Sequence, residues 1–169
     1  MFQVVFVLFF SILSFGQMIS TTKLGDISYQ ANINEVAAIA NLQLIATIER
    51  EDNFSELNTD INGIEYQILF YENNVKKVRE VFSVSSKDKN LSTLSGIKIG
   101  STLQDLWKNY KKYNIRLFTE NVDNIDCRVF RILDFENGSY LDFYLKNNRV
   151  VEFKLINNQG YYDNYIYAE

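Results

Sequence analysis

The sequence predicts an α+β fold, with two tandem helix-plus-antiparallel-meander units packed as one domain. A capped amphipathic helix is expected just after Gly100. Runs of alternating apolar and polar residues follow it between Arg128 and Ile156, as expected for strands with one covered face. A similar succession of a capped helix and strand-like runs occurs earlier, between Asn32 and Val84.

The helix after Gly100 is predicted from its cap and its apolar face. Ser101 is a good N-cap, and Gln104 three residues later completes a capping-box pattern. Apolar side chains then recur at helical spacing, at Leu103, Leu106, Trp107, Tyr110 and Tyr113. We interpret Trp107 as a core anchor packed on the second meander, with ligand stacking as the alternative. As a core anchor, Trp107→Ala would cost roughly 3–5 kcal/mol.

Three strands are predicted after the helix, over 128–135, 140–146 and 149–156. The turn signals Asn137-Gly138 and Asn147-Asn148 separate them. In the middle strand, Leu141, Phe143 and Leu145 share the face that the helix covers. The other face carries Tyr140, Asp142, Tyr144 and Lys146. Before these strands, 115–118 is expected to be a short strand and 120–126 an acidic, solvated loop, with a metal site in the loop as the alternative.

The first half repeats this plan. Asn32 and Glu35 form a second capping-box pattern, and Asn62-Gly63 signals a hairpin. Residues 44–48 are interpreted as the start of a strand, with continuation of the helix as the alternative. The two Asn-Gly turns lie 137 − 62 = 75 residues apart, which favours an internal duplication. The alternative is that hairpin chemistry alone makes any two meanders look alike.

Residues 1–16 are predicted to be a signal peptide. Phe2–Phe15 is almost wholly apolar but shorter than the about 20 residues that span a bilayer. Ser14 and Gly16 place small residues at −3 and −1 of a cut before Gln17. The segment lacks Lys and Arg, so a buried first strand or helix is the alternative. Cleavage implies a periplasmic or secreted protein, with no Cys beside the cut to carry a lipid and therefore no stable membrane anchor.

The remaining chain divides into two predicted halves, 17–86 and 87–169, with a polar linker at the boundary. The second half ends in the tyrosine-rich segment 161–167, which is either a final edge strand or an exposed contact patch.

Composition excludes several kinds of site. The chain has one Cys and no His, which removes Ser–His and Cys–His catalysis and most zinc sites. The single Cys127 has no partner for an internal disulfide, and we interpret it as a small buried side chain. The net charge of −4 argues against nucleic acid and anionic membranes as partners. No cofactor is predicted.

The second half resembles a known family of envelope modules. Ile97-Lys98-Ile99-Gly100-Ser101-Thr102, the amphipathic helix and a meander with Asn-Gly and Asn-Asn turns resemble the SmpA/BamE-like modules, mainly over residues 95–156. Two such units in tandem resemble the β-lactamase-inhibitor-protein architecture. This chain departs from the family pattern after the helix, where Tyr113-Asn114 replaces the frequent Gly and Pro. The resemblance implies a non-enzymatic, exported module that binds proteins, and it assigns no site residues.

We therefore expect an exported, non-enzymatic protein-binding module of the inhibitor, immunity or envelope-assembly type. The expected contact residues are Tyr140, Asp142, Tyr144 and Lys146, because tyrosine is enriched in interface cores. The alternative for this face is that the two halves pack together and bury its tyrosines. Two other functions remain open. One is a hydrolase with Asp142 and Glu152 as cross-strand carboxylates about 5 Å apart, and the other is a small-ligand carrier.

Overall fold

The computed structural model describes residues 18–43, 46–50, 53–73, 76–122 and 124–158. The apolar segment Phe2–Phe15 and the tyrosine-rich segment 161–167 lie outside these residues, so the predictions for them stay predictions. The elements are, in order, β1 (Met18–Ile19), β2 (Lys23–Leu24), β3 (Ile27–Ser28), α1 (Ile33–Ile39), β4 (Ile48–Glu49), β5 (Phe54–Ile61), β6 (Ile64–Asn73), β7 (Val78–Ser86), β8 (Ser92–Thr93), α2 (Leu103–Tyr110), β9 (Asn114–Val122), β10 (Ile125–Asp134), β11 (Ser139–Lys146) and β12 (Arg149–Asn157).

One large antiparallel sheet dominates the described residues. Its eight strands lie in the order β4-β5-β6-β7-β12-β11-β10-β9, and a small second sheet has the order β3-β2-β1-β8. Each half contributes four consecutive strands to the large sheet. The halves join where Phe153–Ile156 of β12 pair with Ser83–Ser86 of β7. The two outer edges are therefore β4 and β9.

The predicted fold class, α+β with tandem helix-plus-meander units, is wrong. Of the described residues, 57% are in strands and 12% are helical, so the protein is mostly β. The helices are only seven and eight residues long, whereas five of the strands have eight or nine residues and two have ten. Each helix therefore covers a small part of the sheet, and most of the core comes from the strands themselves.

The first helix cap was predicted correctly, and the second is shifted by one residue. Asn32 Oδ1 accepts hydrogen bonds from the backbone N–H groups of Asn34 and Glu35, and Glu35 Oε2 accepts one from the N–H of Asn32. In α2 the N-cap is Thr102, and the side chain of Asp105 accepts a hydrogen bond from the backbone N–H of Thr102. Both are short polar residues that suit this capping geometry.

The asparagine turns also match the prediction. Asn62, Asn147 and Asn148 have φ values of 55°, 51° and 59°. Such left-handed residues allow the two-residue connections that join β5 to β6 and β11 to β12. The local turn chemistry therefore sets the register of both hairpins.

The predicted acidic loop is wrong. The polar segment around residue 120 belongs to β9, which continues to Val122, and β10 begins at Ile125. The expected short strand at 115–118 is part of this longer one. An edge strand tolerates polar residues because much of it faces water, and this hid the strand in the sequence.

The core lies on one face of the large sheet, beneath both helices. Leu141, Phe143 and Leu145 are buried there, as predicted. From α2, Leu106 is fully buried, and the ring of Tyr110 lies 5.6 Å from that of Phe143. The other face carries polar and aromatic side chains. We call it the polar face, and its central residues are Gln67, Ser85, Lys154, Asp142 and Arg131, which are neighbours across five adjacent strands.

Candidate functional site

A buried ion pair lies at the centre of the polar face. Asp142 has no exposed surface, and its two carboxylate oxygens accept hydrogen bonds of 2.7 and 2.6 Å from Nε and Nη2 of Arg131. The guanidinium of Arg131 is held between the rings of Phe118 and Tyr140, at 4.9 and 4.8 Å from their centroids. Cation–π contact on both sides fixes the guanidinium in place over the carboxylate.

Tyr144 adds a second polar contact to this face. Its hydroxyl donates a hydrogen bond of 2.9 Å to Glu120 Oε2, and only 4% of the residue is exposed. Burial raises the pKa of Tyr144, and the nearby charge of Asp142 raises it further. The phenol therefore stays protonated and acts as a donor.

The polar face is concave. Glu56 of β5 and Glu120 of β9 line one cavity of about 360 Å³, although five strands lie between β5 and β9. Irregularities in strand pairing follow Leu69 in β6 and Tyr144 in β11. Such bulges bend and twist a sheet, which brings its two edges closer together.

The four predicted contact residues do not form one accessible surface. Tyr140 is half-buried, and Lys146 is exposed at the end of β11. Asp142 and Tyr144 are buried and bonded to Arg131 and Glu120, so they offer little surface to a partner, and the contact role of this face stays a prediction. The face-to-face packing alternative is wrong, because the halves join edge to edge in one sheet.

The proposed hydrolase pair is not supported by the register. Asp142 lies opposite Lys154, whereas Glu152 lies opposite Tyr144. The carboxylate of Asp142 is held by a guanidinium, and that of Glu152 lies 3.5 Å from Lys87 Nζ. A proton-transferring acid needs access to substrate, and Asp142 has none.

The other buried carboxylates are bonded in the same way. Burial raises the pKa of Glu80, but hydrogen bonds from Lys76, Tyr71 and Asn73 outweigh it, so the pKa lies below its usual value. Hydrogen bonding from Gln67 is the main cause that lowers the pKa of Glu56. Within the described ranges, no group of three or more His, Cys, Asp or Glu side chains is placed to hold a metal ion. Cys127 is half-buried and makes no disulfide.

A second cavity lies on the opposite side of the molecule, beside α2. We call it the Trp107 groove, and its volume is about 560 Å³. It is lined by Thr102, Leu103, Gln104, Trp107, Arg128, Asn147, Asn148 and Arg149. Trp107 is 42% exposed, so the prediction that it is buried is wrong. Its ring packs against Phe130 at 5.1 Å between centroids and leaves the rest of the indole open to the groove.

Backbone contacts hold the Trp107 groove in shape. The N–H of Leu103 donates to the carbonyl of Asn148 at 3.0 Å, and the N–H of Val150 donates to Ser101 at 2.9 Å. Arg149 Nη1 donates to the carbonyl of Gly100 at 2.9 Å, and Arg128 Nη1 donates to Asn148 Oδ1 at 3.2 Å. The start of α2 is thus bonded to the β11–β12 turn. Two exposed guanidiniums stand beside an exposed indole on a rigid base.

Sequence periodicity could not separate Trp107 from its buried neighbours. Leu106 and Tyr110 are buried, and Trp107 lies at the margin of the same helical stripe. The arginines of the groove come from β10 and β12, and long-range contacts such as the bridge between Thr102 and Arg149 bring them to the helix. An indole beside two arginines is a combination typical of interface hot spots.

Because Trp107 is the chain's single tryptophan, its exposure can be measured directly. We expect acrylamide to quench the native fluorescence substantially, as for a half-exposed indole. We also expect Trp107→Ala to cost about 1–2 kcal/mol in a urea titration, because only part of the ring is packed. Weak quenching together with a loss of 3–5 kcal/mol would instead place Trp107 in the core.

Comparison with known proteins identifies a similar fold but no family. No protein-family model and no curated protein matches the chain. The chain is similar to the crystal structure of a DUF4309 family protein (YjgB) from Bacillus subtilis subsp. subtilis str. 168. The TM-score is 0.50 at 13% sequence identity, over 83% of this chain and 87% of that chain. At this identity the likeness concerns the fold alone. In the described part of the chain, no helix has the length and apolar character needed to cross a membrane.

Proposed function

We propose that this protein is an exported, non-enzymatic module that binds another protein through the Trp107 groove. The observation that carries the proposal is the 42% exposed indole of Trp107, which lines the groove together with Arg128 and Arg149. Trp and Arg are over-represented among the residues that dominate protein–protein binding energy. Export rests on the signal-peptide prediction, and the inhibitor, immunity or envelope-assembly roles stay predictions.

The charge of the groove limits the kind of partner. Arg128 and Arg149 are both exposed, and neither makes an ion pair with a described residue. The chain as a whole carries a net charge of −4, so this local positive site differs in sign from the rest of the molecule. An acidic segment with an apolar side chain for Trp107 would satisfy both features. Binding rather than catalysis is also favoured by the carboxylates of the polar face, because Asp142, Glu56 and Glu120 are held by a guanidinium, an amide and a phenol.

Comparative capture from the organism's own envelope tests the proposal. We expect wild-type protein to retain a partner that Arg128→Glu with Arg149→Glu loses, because reversed charges repel an acidic segment. Phe135→Ser is the control, since Phe135 is a 68% exposed aromatic in the β10–β11 connection and does not line the groove.

The control must keep the partner, and the thermal midpoint of the charge-reversed variant must stay close to wild type. A partner that survives both reversals would show that binding uses another surface. The proposal would also be contradicted if the charge-reversed variant and the control both captured the same proteins as wild type.

A further inference from the structure

The outer edge of β9 is a long strand edge without a partner among the described residues. The strand has nine residues, Asn114–Val122, and pairs with β10 on its inner side only. The opposite edge of the sheet is different, because β4 has two residues and is followed by Arg50, which pairs with Glu56. Among the described residues no strand pairs with the outward backbone N–H and C=O groups of β9, and such groups can pair with a strand of another chain.

β9 carries few of the features that protect sheet edges. The chain has no proline, β9 contains no lysine, and its pairing with β10 runs without a bulge from Asn114 to Val122. Proteins usually block a free edge with such devices to prevent pairing with another chain. Leu117, on the core side of this strand, is 43% exposed. An unprotected edge with an exposed leucine beside it is suited to receive a strand.

The charges on β9 are self-complementary in one register. Arg116, Phe118 and Glu120 alternate along the strand and lie on the polar face, where Phe118 stacks on Arg131 and Glu120 accepts from Tyr144. In an antiparallel pair centred on Phe118, Arg116 of one copy stands opposite Glu120 of the other, because 116 + 120 = 2 × 118. Both cross-strand pairs then join opposite charges. Centring on Arg116 or Glu120 would instead place like charges together.

The surroundings of Arg116 favour an ion pair with a carboxylate from a second copy. It is exposed, and the residue directly across from it on β10 is Arg131, a second cation that is already bonded to Asp142. Within the described ranges Arg116 makes no ion pair. A carboxylate arriving from outside the sheet would therefore relieve the repulsion between the two guanidiniums.

We propose that two copies of this chain associate through antiparallel pairing of β9 with β9, centred on Phe118, to give one continuous sheet across a two-fold axis. The pairing is isologous, so each copy supplies the same strand and the same charges. It is independent of the Trp107 groove. The contact is confined to one strand and its neighbours, so we expect a reversible dimer with a dissociation constant in the micromolar range.

Charge reversal and mixing test both the dimer and its register. In Arg116→Glu, a glutamate at 116 faces Glu120 of the other copy, and in Glu120→Arg two arginines meet. We expect either variant alone to lower the dimer affinity roughly tenfold or more in sedimentation velocity of the purified protein, because two attractive pairs become two repulsive ones. An equimolar mixture of the two variants restores both attractive pairs. Its affinity should return to within about threefold of wild type.

Glu120→Arg also removes the hydrogen bond between Glu120 and Tyr144, so a control variant must separate this loss from the change of charge. Tyr144→Phe removes this bond without changing the charge of β9, and it should dimerise like wild type. A wild-type protein that stays monomeric throughout the micromolar range would overturn the proposal. So would a dimer that either single reversal leaves intact, since another surface would then be responsible. A mixture that fails to associate would exclude the register centred on Phe118 and the proposal with it.

Discussion

Replacing Arg131 by methionine is expected to lower the free energy of unfolding by about 3–5 kcal/mol. Methionine keeps much of the packing against Phe118 and Tyr140 but removes the cation. The carboxylate of Asp142, which has no exposed surface, would then be buried without a compensating charge. Urea unfolding at neutral pH measures the loss.

The pH dependence identifies the cause of this loss. Burial raises the pKa of Asp142, and Arg131 opposes that shift. Without Arg131, the pKa of Asp142 in the folded state should lie far above the unfolded value of about 3.9. The folded protein then binds a proton more readily than the unfolded chain, so the penalty is full at neutral pH. It diminishes as the pH falls through the folded pKa toward the unfolded pKa.

A surface pair provides the control. Arg79 and Glu49 are in contact at 2.9 Å with 34% and 65% of their side chains exposed, so Arg79→Met should cost less than about 1 kcal/mol. Arg131→Met combined with Asp142→Leu should recover much of the stability, because no charge remains buried. A loss that is small, or that grows on acidification, would contradict the assignment of Asp142 as the buried charge.

The parts of the fold that depend on neighbouring residues were predictable from the sequence. The capping box at Asn32, the asparagine turns and the strand alternation around Leu141 and Phe143 all follow from interactions within a few residues. The fold class failed because amphipathic helices are easy to recognise and were given too much weight. The sequence pattern predicts a loop over part of the polar edge strand β9, because solvent-facing residues on both faces obscure its alternation.

The candidate sites depend on contacts that local patterns do not contain. Alternation correctly predicts that Asp142 and Tyr144 lie on the face of β11 that points away from Leu141. It does not reveal that Asp142 is bonded to Arg131 or that Tyr144 is bonded to Glu120. Those partners come from β10 and β9, and their positions depend on strand register and on the bulges that curve the sheet. The Trp107 groove likewise needs the β11–β12 turn to meet the start of α2.

The double substitution Tyr140→Ser with Tyr144→Ser is expected to destabilise the protein by about 3–5 kcal/mol, the range for truncating large buried aromatics. Tyr144 is 4% exposed, and its loss would open space beneath Glu120. Tyr140 covers one side of the Arg131 guanidinium, so its removal also admits water to the ion pair with Asp142. Both changes weaken the same polar cluster, and their effects are not expected to add independently.

Thermal unfolding measures this effect, and a conservative variant separates its parts. For a chain of this size, a loss of 3–5 kcal/mol should lower the melting temperature by roughly 10 °C or more. Tyr144→Phe keeps the ring and removes only the hydroxyl that Glu120 accepts from, so it should cost about 1 kcal/mol. A double variant that melts within a few degrees of wild type would show that these tyrosines are not buried in the native protein. The polar face would then again be available as a surface for a partner.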